Sequence, residues 1–452
     1  MKIYQFDINN KKMRDIFASR HFFQLAKKKI IEKEVNKIFL SITNARDRNT
    51  KVFFYTKQFD RHILKAETVR VSPQEIVQAW KQVPGADRKI ISLAAKRIRN
   101  FHEEQKKKLL LNNFKIKEDS GTIIEQRLLP IRRVGICIPA GRAPLFSTVL
   151  MTAIPAQIAG VKQIAMISPW PNGQMNPHIL VAALMSGVDE IYKIGGVQGV
   201  AALAYGTETI TNVEKIVGPG NLWVTQAKIF SASLGFVGID SPAGPSEIVV
   251  LSDGSYPAAI VAADLISQCE HGEDSMAVLV THSRKYAEEV KKEVEYQINN
   301  PMSKKYLKSS AGDLAVGLIT RSLKESLDVV NWIAPEHLEI MIQNPRRVMP
   351  LIENAASIFL GPYSPVPIGD YLAGPNHVLP TDRRARFASP LGVEDFVKRQ
   401  SVVEFSKEAL LKLGPVAERM AELEGLDGHA QAIRIRREAL AKKKPPKKRG
   451  RK

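Results

Sequence analysis

The chain contains very little cysteine. Only Cys137 and Cys269 occur among 452 residues, and their sequence contexts are unrelated. Two such cysteines cannot form the disulfide framework of a small secreted protein, so a reducing compartment, the cytoplasm, is expected. The first residues lack a signal-peptide pattern, and the longest apolar region, 149–167, is interrupted by a proline, a glutamine and a lysine. Neither secretion nor a membrane span is expected.

Acidic residues are scarce beside basic ones, 46 against 66, which gives a net charge of +20. Residues 442–452 hold eight positive charges and no negative one, leaving +12 for the rest. Such a run cannot bury apolar area and is expected to be disordered. It can serve as a solvated tail or bind polyanions such as nucleic acid. The lack of interleaved aromatic residues and of a known nucleic-acid module favours the solvated tail.

The apolar content is high enough for large cores, at 44% hydrophobic residues, and the length suggests about three domains. Residues 1 to about 120 are lysine-rich and mostly helical in pattern. From Ile131 onward, short β-rich runs such as VGICIP and QIAMIS alternate with alanine-rich helical stretches, and a second such set follows Ser246. This alternation predicts an α/β fold built from βαβ units with parallel sheets.

No GxGxxG sequence follows a predicted strand, so the ordinary dinucleotide fingerprint is missing. Two predicted strand ends carry glycine-rich turns instead, IGGVQGV at 194–200 and IVGPGNLW at 216–223. Small residues there let backbone amides approach an anionic or polar ligand. Glycines at strand ends also serve simply as tight turns, so these segments alone do not establish a cofactor site.

Gln268 and His271 stand three residues apart at the end of an apolar run that predicts a helix. Residues at this spacing share one helix face, so an amide oxygen and an imidazole nitrogen can converge on one cation. Such a pair suits zinc or a neighbouring divalent metal. Cys269 and Glu270 point elsewhere, which argues against a thiolate zinc site. A solvated helix face is the alternative interpretation.

Further segments place histidine beside carboxylates in turns marked by glycine or proline: APEHLEI at 334–340, GDYLAGPNHVLPT at 369–381 and AELEGLDGHAQAIRIR at 421–436. Together with SQCEHGEDS, VGPGN and PAGPSE, they resemble histidinol dehydrogenase. The resemblance runs in order from about Pro130 to about Ala439. It implies two related, incomplete Rossmann-like domains with helical N-terminal and C-terminal extensions, in an intertwined homodimer.

The expected domain organisation has five parts. These are an N-terminal arm (1–25), a first α/β domain with the metal and catalytic residues (26–130 with 246–388), a second, NAD-binding α/β domain (131–245), a C-terminal helical segment that reaches the partner subunit (389–438), and a disordered basic tail (439–452).

The resemblance also implies a metal and a catalytic pair. The implied zinc ligands, which also contact the substrate, are Gln268, His271, Asp370 and His429, with His429 coming from the neighbouring subunit. His337 is the implied general base that takes the hydroxyl proton, and Glu336 is the implied group that activates water for a second oxidation. Taken alone, Glu336 and His337 could equally be a surface pair, Asp370 a turn residue and His429 a helix cap.

Other contacts are carried over from the same resemblance. Ser246, His377 and Glu424 are implied to touch the substrate, and Gln198 and Asn221 to touch NAD. A third NAD contact in the family is a tyrosine in VGxYxPGG, where this chain reads VGICIPAG, so that Cys137 replaces the aromatic ring. Cys137 could act as a thiol nucleophile toward an aldehyde. Its flanking isoleucines favour a small buried residue instead.

The implied activity is the zinc-dependent, NAD-linked oxidation of L-histidinol to L-histidine through a retained histidinaldehyde, the last step of histidine biosynthesis. Two alternatives stay open: an enzyme of the same fold for another small alcohol, such as a sulfonated diol, and a weakened enzyme that binds polyanions. Glu424 bears on the first alternative, because its charge would repel an anionic substrate and hold an aminoalcohol.

Overall fold

The computed structural model describes residues 1–6, 29–109, 113–140, 144–270, 275–300 and 315–442. The chain divides into two units: unit 1 holds Met1–Leu109 and Ile131–Phe396, and unit 2 holds Leu110–Pro130 and the residues from Val397 onward. The expected basic tail beyond residue 442, and residues 7–25 of the expected N-terminal arm, lie outside the described residues.

The strands, in chain order, are β1 (Lys2–Gln5), β2 (Phe114–Lys117), β3 (Ile123–Pro130), β4 (Arg133–Cys137), β5 (Gln163–Ile167), β6 (Glu190–Tyr192), β7 (Lys215–Val217), β8 (Gly238–Ile239), β9 (Glu247–Ser252), β10 (Met276–Thr281), β11 (Ala315–Ile319), β12 (His337–Met341), β13 (Ser357–Leu360) and β14 (Val397–Glu404).

The helices are α1 (29–43), α2 (Arg48–Asp60), α3 (Pro73–Gln82), α4 (Gly85–Leu109), α5 (Phe146–Ala159), α6 (Pro177–Met185), α7 (Gly196–Tyr205), α8 (Leu222–Ser233), α9 (Ala258–Cys269), α10 (Arg284–Asn299), α11 (Leu323–Ile333), α12 (Pro345–Val348), α13 (Val366–Ile368), α14 (Lys407–Leu423) and α15 (Asp427–Lys442). Short 3-10 turns and one π turn connect some of them: Pro171–Gly173, Met349–Leu351, Gly369–Ala373, Arg384–Arg386 and Val393–Phe396. None of the described helices is both long and apolar enough to span a membrane.

Unit 1 contains a six-stranded parallel sheet in the order β1-β11-β10-β9-β12-β13. Its central strands are buried on both faces, which explains their nearly continuous apolar sequences. In β9, for example, Ile248 and Val250 belong to one core, while Val249 and Leu251 belong to the core on the opposite face.

The second sheet of unit 1 is five-stranded and parallel, in the order β6-β5-β4-β7-β8. One of its faces shares a core with α1, α2, α7 and α8. The chain moves from β4 outward to β5 and β6 on one side, and then returns to place β7 on the other side. The gap between β4 and β7 is therefore a topological switch point, where ligands commonly bind in open α/β sheets. The expected α/β class with parallel sheets is confirmed.

Unit 2 consists of an antiparallel sheet, β14-β3-β2, and the helical hairpin of α14 and α15. The hairpin is held by Glu418, which forms ion pairs with Arg434 at 2.5 Å and Arg437 at 2.6 Å. The expected organisation differs here, because residues 123–130 pair with a strand inside the segment expected to be helical. These strands mix charged and apolar residues and lack the longer apolar runs that marked the buried strands.

The start of the chain also differs from the expected arm. Residues Lys2–Gln5 form an edge strand that pairs in parallel with β11 of the six-stranded sheet. Four residues with only two apolar side chains give too short a pattern to be recognised as a strand from sequence.

Candidate active site

Glu336 and His337 lie at the amino end of β12, on the side of the six-stranded sheet where its parallel strands begin. Helix α11 ends at Ala334, which adopts a left-handed conformation with φ of 52°, and Pro335 follows before the strand begins. Parallel pairing places His337 between Ile248 of β9 and Ser357 of β13. The pair is nearly inaccessible, with Glu336 6% and His337 4% exposed.

The imidazole of His337 is oriented by the backbone of β9. Its Nδ1 lies 3.0 Å from the carbonyl oxygen of Glu247 and donates to it. Its Nε2 is buried, has no hydrogen-bond partner among the described residues, and lies 3.8 Å from Oδ1 of Asp370. Glu336 Oε2 lies 3.4 Å from Nδ1 and accepts a hydrogen bond of 2.8 Å from the backbone N–H of Glu247. The ring therefore presents Nε2 to any incoming group.

The pKa values of the titratable groups at this end of β12 are strongly shifted. Burial alone would lower the pKa of His337, but the carboxylates of Glu336 and Asp370 raise it to about 10. Burial, followed by the charges of Glu336 and Asp382, raises the pKa of Glu247 to about 8. Such displaced pKa values are typical of functional sites.

Glu247 is a site residue that the sequence did not reveal. It was visible only as the last residue of PAGPSE, next to Ser246. Its proximity to Glu336 depends on the pairing register of β9 and β12, which no local pattern specifies. Its Oε2 is buried and has no hydrogen-bond partner within the described ranges.

Asp370 lies in the π turn Gly369–Ala373, and His377 lies a short distance along the chain. His377 Nδ1 is 2.9 Å from the carbonyl oxygen of Asp370, and its Nε2 is 3.3 Å from Thr148 Oγ1. Burial lowers the pKa of His377, which keeps it neutral at pH 7. His337, Asp370 and His377 line one cavity of about 810 Å³. That volume suffices for a small-molecule substrate.

Gln268 is the penultimate residue of α9 and is 1% exposed. Its Nε2 is buried without a hydrogen-bond partner in the described part of the chain. Burial, then the charges of Asp370 and Glu270, raises the pKa of Tyr371, so the end of α9 lies near the turn that carries Asp370. The predicted ligand His271 lies outside the described residues. Within those residues, no three His, Cys, Asp or Glu side chains form a metal-binding group.

Those site residues that are described are compatible with a metal. The amide oxygen of the buried Gln268 side chain and the carboxylate of Asp370 offer oxygen ligands of a kind that zinc accepts. Glu424, which caps the end of α14, and His429, in the first turn of α15, are both exposed and belong to unit 2.

The predicted cofactor residues lie at the carboxyl edge of the five-stranded sheet. Cys137 ends β4 and Gly218 follows β7, on the two sides of the switch point. A Cβ at Gly218 would lie 2.5 Å from the carbonyl oxygen of Cys137, so these two loops are in contact. Asn221 caps α8, and its Oδ1 accepts hydrogen bonds of 3.1 Å from the N–H groups of Trp223 and Val224.

Two further observations concern this crevice. Gln198, in the first turn of α7, is 1% exposed, and its Oε1 is buried without a partner among the residues described. Cys137 is 4% exposed, and burial raises the pKa of its thiol to about 12. A protonated, inaccessible thiol is not a nucleophile. The interpretation of Cys137 as a small buried residue is confirmed.

Comparison with known proteins shows the family of the chain. The sequence profile of a family described as histidinol dehydrogenase matches residues 24–437. The chain belongs to the histidinol dehydrogenase family. Histidinol dehydrogenases from Geobacter sulfurreducens and Listeria monocytogenes are 44% and 45% identical over 409 and 406 residues; the alignments cover 89% and 90% of this chain and 94% and 93% of theirs.

A solved structure gives the same result for the fold. The crystal structure of histidinol dehydrogenase from Elizabethkingia anophelis matches with a TM-score of 0.83 and 35% sequence identity, and the match covers 98% of this chain and 99% of that one. As a member of the histidinol dehydrogenase family, the chain is an oxidoreductase. The structure brings together Glu336, His337, Asp370 and His377 at the six-stranded sheet.

Proposed function

We propose that the protein oxidises L-histidinol to L-histidine with NAD and zinc, through a retained histidinaldehyde, as the last step of histidine biosynthesis. The observation that carries this proposal is the buried Glu336–His337 pair in a chain of this family. Nε2 of His337 lies 3.8 Å from Oδ1 of Asp370 and has no hydrogen-bond partner among the described residues. The protein is proposed to work in the cytoplasm as a homodimer.

The reaction requires two proton acceptors and two hydride acceptors. His337 takes the hydroxyl proton through Nε2, because Nδ1 is occupied by the carbonyl of Glu247. The flanking carboxylates stabilise the imidazolium that results. The first oxidation gives the aldehyde, and Glu336 accepts a proton from the water that adds to it. Loss of a second hydride from the resulting hydrate anion then gives the carboxylic acid. NAD, when bound, supplies the acceptor for each hydride.

A zinc ion in each subunit would be held by Gln268, His271, Asp370 and His429 of the partner subunit. When bound, zinc supplies a template that orients the imidazole and amine of the substrate. Nε2 of the buried Gln268 has no hydrogen-bond partner in the part of the chain that the structure describes, and this supports the assignment, because a buried polar atom without a partner costs about 1–3 kcal/mol. An amide flip places either polar atom of that side chain at the same position.

The remaining contacts are proposed from the resemblance to the family, and the chemistry of the side chains suits these roles. Ser246 and His377 would hydrogen-bond polar atoms of the substrate, and the carboxylate of Glu424 would bind its ammonium. Gln198 and Asn221 would contact NAD in the crevice between β4 and β7, where the backbone of Cys137 forms one wall. Oε1 of Gln198 has no hydrogen-bond partner among the described residues, which supports this location.

The test is the number of NADH molecules released per histidinol consumed by zinc-loaded protein, with a chelator-treated control. We expect two NADH per histidinol, since four electrons leave the substrate and each NAD accepts two. Chelation should abolish the release. One NADH per histidinol would contradict the retained aldehyde, and release that persists after chelation would contradict the role of zinc.

A small sulfonated alcohol is a second candidate substrate, because Arg346 and Arg347 line the same cavity as His337. Two guanidinium groups suit a sulfonate. Comparison of kcat/KM for histidinol and for a sulfonated propanediol decides between them. A higher value for the sulfonated diol, lost in Arg346→Gln/Arg347→Gln, would replace histidinol as the substrate.

A further inference from the structure

A buried ion pair lies beneath the loop between β7 and α8. Lys228 belongs to α8 and Asp240 follows β8, and their side chains are 2% and 5% exposed. Desolvation of two charges offsets most of their mutual attraction, so a buried pair of this kind adds little net stability. The other contacts that Lys228 and Asp240 make give the reason for the pair.

Both charged groups bind Gly218. Asp240 Oδ2 accepts a hydrogen bond of 2.7 Å from the N–H of Gly218, and Lys228 Nζ donates one of 2.8 Å to its carbonyl oxygen. Lys228 and Asp240 also contact each other directly. The peptide units on both sides of Gly218 are thus each held by a charge-assisted hydrogen bond, stronger than a neutral one.

The conformation of Gly218 makes such restraint necessary. Its φ of 110° is available to glycine and strained for other residues. A glycine at this position has wide conformational freedom unless its hydrogen bonds restrict it. Rotation of either peptide unit would move Asn221, three residues later, relative to the loop that contains Cys137. The ion pair therefore bears on the geometry of the crevice between β4 and β7.

We propose that the Lys228–Asp240 pair is a positioning device that holds loop 218–221 in the geometry that binds NAD. This inference rests on the proposed function, which places NAD at the β4–β7 switch point. Apart from each other, the charged groups of the pair hydrogen-bond the backbone of Gly218, so the pair acts through the loop and not on the cofactor.

Two double variants separate charge from hydrogen bonding. Lys228→Gln/Asp240→Asn removes both charges but keeps a donor for the Gly218 carbonyl and an acceptor for its N–H. Lys228→Met/Asp240→Leu keeps the approximate shape and removes both hydrogen bonds. Replacing a buried ion pair by apolar residues is often neutral for stability, so the second variant is expected to fold.

A matched control exists at the opposite edge of the same sheet. Arg133 and Glu190 are the first residues of β4 and β6, form an ion pair, and have side chains that are 7% and 19% exposed. The variant Arg133→Met/Glu190→Leu removes a largely buried pair far along the strands from loop 218–221. It should leave NAD binding unchanged.

The measurement is the Kd for NADH, by its fluorescence, together with KM for NAD, kcat, KM for histidinol and bound zinc. The apolar variant should raise Kd and KM for the coenzyme about tenfold, with kcat, the histidinol KM and the zinc content within about twofold of wild type. The amide variant should restore NADH binding to within about threefold.

Unchanged NADH affinity in the apolar variant would overturn the proposal, as would an equal loss in the control. If the apolar variant does not fold, Lys228→Met/Asp240→Asn differs from the amide variant only by the loss of the donor and should raise Kd about threefold above that of the amide variant; no rise would again contradict the proposal. If the wild-type protein binds NADH but does not oxidise histidinol, the proposed substrate is refuted. The comparison of NADH affinity between wild type and the Lys228/Asp240 variants still tests the positioning role of the ion pair.

Discussion

At the scale of single residues, the unusual property of the site is the number of carboxyl groups around one imidazole. Glu336 and Asp370 keep His337 protonated at neutral pH, since they raise its pKa to about 10. A base must be unprotonated when the substrate arrives. A cation bound to Asp370 would cancel part of that carboxylate's field, so the proposed metal and the proposed base depend on each other.

His337→Asn tests the base directly. The variant should lower kcat about 100- to 10,000-fold, because proton transfer by a positioned side chain contributes about this factor. Zinc content should remain that of wild type. His178→Asn is the control, since His178 lies in α6 and bonds to Asn176 and Asp87. A His337 variant that retains more than about a tenth of wild-type kcat would contradict the assignment.

Glu247 should make the metal-free protein less stable as the pH rises. Its folded pKa of about 8 lies above its ordinary value of 4.5. The folded state therefore holds this proton more tightly, and the stabilisation, complete below pH 4.5, is lost as the pH rises through 8.

Glu247→Gln cannot ionise, so it should match wild type at pH 5 and exceed it at pH 9 by a few kcal/mol. Urea unfolding of chelator-treated protein at the two pH values measures this difference. Glu353→Gln, at an exposed position, should show no such pH dependence. Equal stabilities of wild type and Glu247→Gln at pH 9 would refute the pKa shift.

At the scale of secondary-structure elements, a second pair of acids connects the parts of the site. Asp264 of α9 and Glu339 of β12 are buried and interact electrostatically with each other. Burial, then the charge of Asp264, raises the pKa of Glu339 to about 9. Glu339 Oε1 also accepts a hydrogen bond of 2.8 Å from Val366 N–H at the start of α13. One side chain thus links three elements that carry or precede Gln268, His337 and Asp370.

Glu339→Gln should be tolerated and Glu339→Leu should not. Glutamine keeps the acceptor for Val366 and offers an N–H to Asp264, whereas leucine leaves both groups buried and unsatisfied, at about 1–3 kcal/mol each. The free energy of unfolding in urea at pH 7 should fall by that amount only for leucine. A similar loss in both variants would contradict the hydrogen-bonding role of Glu339.

The elements differ in how far the sequence predicts them. The runs around Ile136, Val249 and Val278 predicted buried parallel strands, because short apolar runs rich in strand-forming residues are typical of buried strands. Strand β1 is short, and strands β3 and β14 mix charged with apolar residues. All three were missed, since their stability comes from partners distant in the chain. The same is true of Glu247 and of Lys228 with Asp240, whose contacts depend on register. The predicted Glu336–His337 pair was recognisable because both members are adjacent in sequence.

At the scale of the whole molecule, unit 2 carries Glu424 and His429, and the proposed site requires His429 of the partner subunit. Mixed dimers test this. Two inactive proteins, His337→Asn and His429→Ala, should regain about a quarter of wild-type activity after joint unfolding and refolding, because half of the dimers then hold one intact site of two. Activity that stays at background in the mixture would mean that each site belongs to one chain.

The two parallel sheets of unit 1 have separate cores, and this separation bears on the order of events during turnover. The β4–β7 crevice belongs to the five-stranded sheet, while His337 belongs to the six-stranded one. In the proposed reaction one coenzyme must depart and another arrive while the aldehyde stays bound. Loops anchored to a different core can open for that exchange without loosening the strands around the aldehyde. The coenzyme can then stay bound for a short time while the reactive aldehyde stays bound for a long time.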